Sequence, residues 1–288
     1  MNTIELAKSY VPMLDAVYQQ TSLTAKLDGD SALCIQGANA NELIVPMLTM
    51  EGLGDYDAAE GYPAGDVTLT NTTVTCNFDR GRMFSVDNLD GAETAGIAFG
   101  RLAGEFIRTK VVPELDAFRF AAYAGKSGIG TTSAALTTGA AVVSALRAAL
   151  TAMDNGEVPC EDRHLFILPE LLGLVEDLDT TASRAVLENF ATVTRVPAQR
   201  FHTQITQKDG VTAGQEAGGF TPGGLQINFM VIHKPAVIQF EKHVAPKIIT
   251  PEQNPDADAW KYGYRNVGVA DVYAKKLAGV YCHTQPSD

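Results

Sequence analysis

Six groups of residues carry the side chains that chemistry uses. Gly125-Lys126-Ser127 has the ending of a phosphate-cradling loop, in which backbone N–H groups and a lysine hold a nucleotide. The glycine such a loop needs five residues earlier is Phe120, and a helical pattern precedes the motif where a strand is required. Asp87, Asp90 and Glu93 would suit Mg2+, but their spacing fits no EF-hand loop, and Asp90-Gly91-Ala92-Glu93 reads as a helix capping box. Asp55 and Asp57 flank Tyr56 in a glycine-rich stretch, where Asp serves as a turn former rather than a general acid or base. The histidines, His164, His202, His233, His243 and His283, show no HExxH spacing and no neighbouring nucleophile elbow. Cys34, Cys76, Cys160 and Cys282 are scattered without CxxC spacing and read as small apolar residues. Asn71-Thr72-Thr73 matches a glycosylation acceptor, which has no role without a secretory route. The sequence therefore predicts no catalytic residue, no cofactor and no metal site.

Composition narrows the remaining classes. The 288 residues suffice for about two domains and a substantial core. Lys plus Arg number 22 against 34 Asp plus Glu, a net charge of −12, and no basic cluster offers a footprint for nucleic acid or an anionic membrane. Charged residues are 19% of the chain, where a soluble domain averages about 25%, while 45% are hydrophobic. Such a surface suits a protein that buries area against copies of itself. Met1 to Tyr10 has no apolar signal-like core, and the most apolar window, Ala134 to Leu150, is broken by Thr137, Thr138, Ser144 and Arg147.

Along the chain, residues 1–38 are polar, with one helix opened by Pro12. The run Leu43 to Leu48 leads into the turn-rich residues Gly52 to Asp66, followed by the β-prone residues Val67 to Phe78, a tight turn at Asp79 to Arg82 and a further strand at Met83 to Asp87. This is the pattern of a long hairpin. Both faces of Val67 to Phe78 are largely Thr and Asn, so neither can floor a core, and an isolated two-stranded ribbon is marginal in water. A neighbouring subunit is its natural cover.

From Asp90 the period becomes helical, with Phe99, Leu102, Ala103, Phe106 and Ile107 on one stripe, and Pro113 either kinks that helix or starts a second one. A joint at Gly125 to Ser133 precedes a helix over Thr138 to Met153. A strand at His164 to Leu168, a helix opened by Pro169, a helix near Ser183 to Phe190 and strands at Gln226 to His233 and Val237 to His243 complete an α+β unit. Trp260 to Cys282 is strand-prone again.

The block Gly52 to Thr94, GLGDYDAAEGYPAGDVTLTNTTVTCNFDRGRMFSVDNLDGAET, followed by Gly104 to Phe120, GEFIRTKVVPELDAFRF, resembles the major capsid proteins of tailed bacteriophages and prophages with the Hong Kong ninety-seven fold. The resemblance implies an N-terminal arm over residues 1–40 and an extended loop over 41–87. It further implies a spine helix with the first part of a peripheral domain over 88–130, an axial domain over 131–239, and the returning strands of the peripheral domain over 240–288. In that family the extended loop lies across a neighbouring subunit, and axial domains meet around hexamer and pentamer axes. Asp55, Tyr56, Asp57, Tyr62, Leu69, Thr73, Asp79, Arg80 and Arg82 are then the expected subunit-interface residues.

The resemblance also implies a virion location and a shell that encloses double-stranded DNA without reading its sequence. The implied partners are the chain itself and separate scaffolding, portal and decoration proteins, with no membrane. The type member joins subunits through a lysine on the extended loop, whereas no Lys occurs here between Lys26 and Lys110, so a covalent ladder of that kind is not expected. About 40 residues precede the loop, too few for the type member's cleaved scaffolding segment, so scaffolding is expected from a separate protein or from none. The alternatives are an encapsulin-like nanocompartment shell and a soluble α+β enzyme.

Overall fold

The computed structural model describes residues 22–29, 35–36, 42–56, 61–87 and 104–287. Strands β1 (Ile35–Gln36), β2 (Glu42–Met50) and β3 (Val67–Thr75) form an antiparallel sheet. The β2/β3 register sets Leu48 opposite Leu69 and Ile44 opposite Thr73, which is the hairpin that the sequence indicates. The chain then changes sheets at Asn77. Its side-chain amide donates to Ala270 O (2.8 Å) and its Oδ1 accepts from Ala270 N (3.1 Å), so the side chain stands in for a backbone ladder step.

Strand β4 (Phe78–Asp87) follows, and here the structure corrects the sequence reading. Asp79 to Arg82 is no turn: it lies inside β4, which pairs antiparallel with β11 (Ala259–Val272), itself paired with β10 (Val237–Ile249). Gly81 is required there for close approach, since a Cβ would stand 2.9 Å from the Tyr264 carbonyl oxygen.

Residues 104–106 are helical, a π-turn spans Ile107–Val111, and α1 (Val112–Ala124) continues from it. Pro113 can donate no N–H and its ring crowds the preceding turn; the helix accommodates it with one wide turn, in which Val112 N–H reaches Ile107 O. The kinked continuation is the alternative realised. Ile107 is buried and Phe106 half-buried, while Phe99, Leu102, Ala103 and the expected cap Asp90 to Glu93 lie outside the described residues.

The larger unit is a six-stranded mixed sheet in the order β5-β12-β9-β6-β7, with β8 paired to β9. Its strands are β5 (Gly130–Ser133), β6 (Arg163–Ile167), β7 (Thr192–Arg195), β8 (His202–Gln207), β9 (Phe220–His233) and β12 (Val280–Thr284). The last four residues of the segment expected to be a joint are thus a strand. β12, grouped by sequence with the returning strands of 240–288, pairs instead with β9 and β5. Helices α2 (Gly139–Asn155), α3 (Pro169–Asp177) and α4 (Thr181–Leu187) accompany this sheet. Thr138 caps α2 by accepting from Ala141 N, and Gly139 lets α2 meet α3, because a Cβ would lie 2.1 Å from Leu174 O.

α1 joins the two halves. Phe120 meets Phe166 and Phe201 edge-on at 5.1 and 4.9 Å in the main core, and Phe118 meets Phe78 at 5.1 Å in the core under β4 and β11. A buried polar clasp ties residues 22–29 to this helix. Asp116, fully buried, accepts from Thr24 Oγ1 (2.7 Å), Ser22 Oγ (2.9 Å) and Leu23 N (3.1 Å), and Arg119 donates to Thr24 Oγ1 (2.9 Å) and Glu241 (3.1 Å).

Candidate functional site

The groups weighed as chemistry have structural duties. Gly125 ends α1, and Lys126 pairs with Asp271 at 2.6 Å, so no phosphate loop exists there. His164 bonds Thr192 Oγ1 (2.8 Å), and His283 lies between Asn228 Nδ2 (3.1 Å) and the Phe229 ring (4.9 Å, stacked). Burial depresses the pKa of His164, His202, His233 and His283. Cys282 is buried in β12 and its thiol is pushed up to about 12 by burial, which suits packing rather than nucleophilic attack. Among the described residues no group of His, Cys, Asp and Glu could hold a metal ion, and no helix is long and apolar enough to cross a membrane.

What stands out instead is a surface. Two nine-residue strands lift the tip, described over residues 51–56 and 61–66, about 30 Å from their base. The tip is held in shape locally: Glu51 and Asp66 bond backbone to backbone (3.3 Å), Glu51 Oε2 accepts from Asp66 N (3.2 Å), and the Tyr56 and Tyr62 rings pack at 5.0 Å. Yet its apolar side chains stand in solvent, with Leu53 107%, Tyr62 88% and Tyr56 62% exposed, and Val67 and Leu69 on β3 more than 60% exposed. Contiguous apolar exposure of this kind marks an interaction surface. At the base, Lys275 donates to Thr49, and Val74 packs on Ile238 and Val269.

The second feature is a cleft of about 450 Å3 between the helix face of β4 and β11, residues 105–114 and the loop 208–219. Strand alternation turns Phe78, Arg80, Arg82 and Phe84 to one side, with Tyr262, Tyr264 and Asn266 beside them in register. Arg80 bridges three elements: its Nε donates to Glu114 (2.7 Å), and its Nη2 to the Lys208 carbonyl (2.6 Å). Arg82 donates to Glu216 O (2.8 Å). Glu114 is half-enclosed, and burial raises its pKa despite the pull of Arg80. The loop is braced from within by Asp209, whose carboxylate is held down to about 2 by the Thr212 hydroxyl and then by the Val211 and Thr212 N–H groups.

The expected interface residues thus fall in two places. Asp55, Tyr56, Tyr62, Leu69 and Thr73 are on the hairpin and exposed, whereas Asp57 lies outside the described residues. Asp79, Arg80 and Arg82 are on β4 and have partners within the chain. Asp79 binds Arg265 through two bonds of 2.8 and 2.6 Å on the opposite face from Arg80. Sequence reasoning missed Lys110, Glu114, Asn266 and the loop 208–219. The period-two pattern Phe78/Arg80/Arg82/Phe84 was the available signal, obscured by reading Asp79 to Arg82 as a turn.

With this geometry in place, the architecture matches that of phage capsid chains. The structure is similar to one from Mycobacterium phage Che8 (TM-score 0.60, 14% identity, 92% of this chain and 91% of that one). It is also similar to the capsid of cyanophage P-SCSP1u (0.56, 12%, 88% and 85%) and to a virus-like particle from Pyrococcus furiosus (0.57, 11%, 95% and 99%). No family model and no curated protein sequence matches the chain. At these identities the likeness establishes the fold alone: a capsid-like fold of mixed sheets and helices spanning nearly the whole chain.

Proposed function

We propose that the chain is the major capsid protein of a tailed phage or prophage. In this reading it adopts the Hong Kong ninety-seven arrangement and assembles with copies of itself, through hexamers and pentamers, into an icosahedral shell around double-stranded DNA. The observation that carries this is a hairpin tip whose large apolar side chains Leu53, Tyr56 and Tyr62 have no cover among the described residues, on a fold shared with phage structures over 92% and 88% of the chain. Fully burying one such side chain is worth about 1.5–3 kcal/mol, so several per subunit, repeated around a shell, can hold it closed.

The role is structural, and the acidic net charge of −12 fits a container that releases its DNA, since phosphate contacts by Lys or Arg would add salt-dependent grip. Residues 131–239 would supply the contacts around the symmetry axes, and separate scaffolding, portal and decoration proteins would complete a virion. The phage structures among the likenesses support this reading over a nanocompartment shell. Negative-stain electron microscopy of the purified chain tests it. Closed shells, tubes or hexameric rings are expected; a monomer or small discrete oligomer at all concentrations, even with its scaffolding partner co-expressed, would refute it.

A further inference from the structure

The cleft between β4/β11, residues 105–114 and the loop 208–219 carries groups that the described residues leave unused. Asn266 lines it, is 1% exposed, and has neither Oδ1 nor Nδ2 hydrogen-bonded among the described residues. A buried amide without partners is expensive, and the cost is removed when a ligand brings one donor and one acceptor together. Arg80, opposite Asn266 in register, is committed elsewhere, to Glu114 (2.7 Å) and the Lys208 carbonyl (2.6 Å).

Tyr264 lies two residues from Asn266 on the same face of β11, about 7 Å along the strand. With Phe84 and Phe106 it forms an aromatic wall, Phe106 standing edge-on to the other two rings at 4.8 and 6.1 Å. Three cations line the same space, Arg82, Lys110 and Lys208, and none has a carboxylate partner among the described residues. The lining carboxylates are already engaged: Glu105 by Arg108, Glu114 by Arg80, and Asp209 by the N–H groups of Val211 and Thr212. The volume of about 450 Å3 falls within the range of about 300–1,000 Å3 that encloses one small molecule.

We propose that this cleft binds an adenine nucleoside monophosphate, with the base edge on Asn266, the ring against the aromatic wall and the phosphate between Lys110 and Arg82. Nδ2 of Asn266 donates to adenine N7 while Oδ1 accepts from the N6 amino group, so one base edge satisfies both orphaned atoms. Guanine presents acceptors at both N7 and O6 and would leave Oδ1 unpartnered. Glu105 and Asp209 are exposed at the mouth and would repel a continuing phosphate chain, so the ligand is a single nucleotide and not a strand. The inference stands apart from the shell reading, and neither needs the other.

Isothermal titration calorimetry of the purified full chain with adenosine 5′-monophosphate, guanosine 5′-monophosphate and inorganic phosphate tests it. The adenine nucleotide should bind saturably at one site per chain, with the guanine nucleotide and phosphate each roughly tenfold weaker or worse. Asn266→Leu should abolish the preference between the two bases. Lys110→Gln, at an exposed position that folding does not need, should weaken both nucleotides several-fold, keep the preference and flatten the salt dependence; it keeps the test in force if the buried Asn266→Leu fails to fold. Hydrogen exchange with nucleotide bound should gain protection in residues 105–110, 208–219 and 264–266. No saturable binding by wild type, equal affinity for the two bases, unchanged affinity in Lys110→Gln, or protection confined to other segments would each overturn the proposal and leave the shell reading standing.

Discussion

The six-stranded unit and the hairpin obey opposite rules. Around β9, every residue from Ile227 to Ile232 is buried, the helices α2 and α3 supply a cover, and rings from α1, β6 and the segment before β8 close the core. The unit's shape follows from its own burial. The hairpin is paired strand to strand over nine residues, and turns the apolar groups Leu53, Tyr56, Tyr62, Val67 and Leu69 outward. A region so uncovered is explained, under the proposed function, by another molecule. In that reading the first region is where stability resides and the second is where association does.

The strongest way to break that contrast is at α1. Phe120→Ala removes a ring packed on Phe166 and Phe201, and should lower subunit stability by about 3–5 kcal/mol in chemical denaturation. A loss below about 1 kcal/mol would mean that the core is not where stability sits. Asp116→Ala strips the acceptors from Ser22, Leu23 and Thr24 and should cost about 2–3 kcal/mol, with earlier proteolysis at residues 22–29; unchanged cleavage there would remove the clasp from the account.

Leu53→Ser with Tyr62→Ser should show the reverse signature. Denaturation should stay within about 0.5 kcal/mol of wild type, while association measured by sedimentation weakens at least tenfold, about 1.4 kcal/mol. Equal losses in both measurements would erase the division of labour.

The smallest effect is a pH slope located in the core. Burial lowers the pKa of His164, His202, His233 and His283, so their folded values lie below the unfolded value of 6.5. The unfolded chain then binds more protons just below that value. Their contribution is complete above about pH 6.5 and is lost as pH falls through the folded values. Thermal melts between pH 7.5 and 5.5 should fall toward the acid side, and His283→Gln should flatten the slope; a melt that rises on acidification would contradict it.

Elements with strong local signals were legible before the structure. Thr138 and Gly156 bracket α2, Pro169 opens α3, and Leu43 to Leu48 with Val67 onward outlines the hairpin. What could not be read was pairing at long range. At Asp79 to Arg82 the glycine outweighs the local period-two pattern and reads as a turn, because Gly81 is there for the Tyr264 carbonyl, 183 residues away in register with Arg82. β12 likewise joins a sheet whose strands β5, β6 and β9 lie far back in the chain. The exposed half of the site was visible as an unusable two-faced ribbon. The cleft was not, since Lys110, Asn266 and the loop 208–219 come together only through tertiary pairing.

Hydrogen exchange on dissociated subunits and on assembled particles tests the contrast most directly. The account predicts that residues 42–75 gain protection on assembly while β6 and β9 remain equally protected in both. Particles that form with exchange in residues 42–75 unchanged would contradict it.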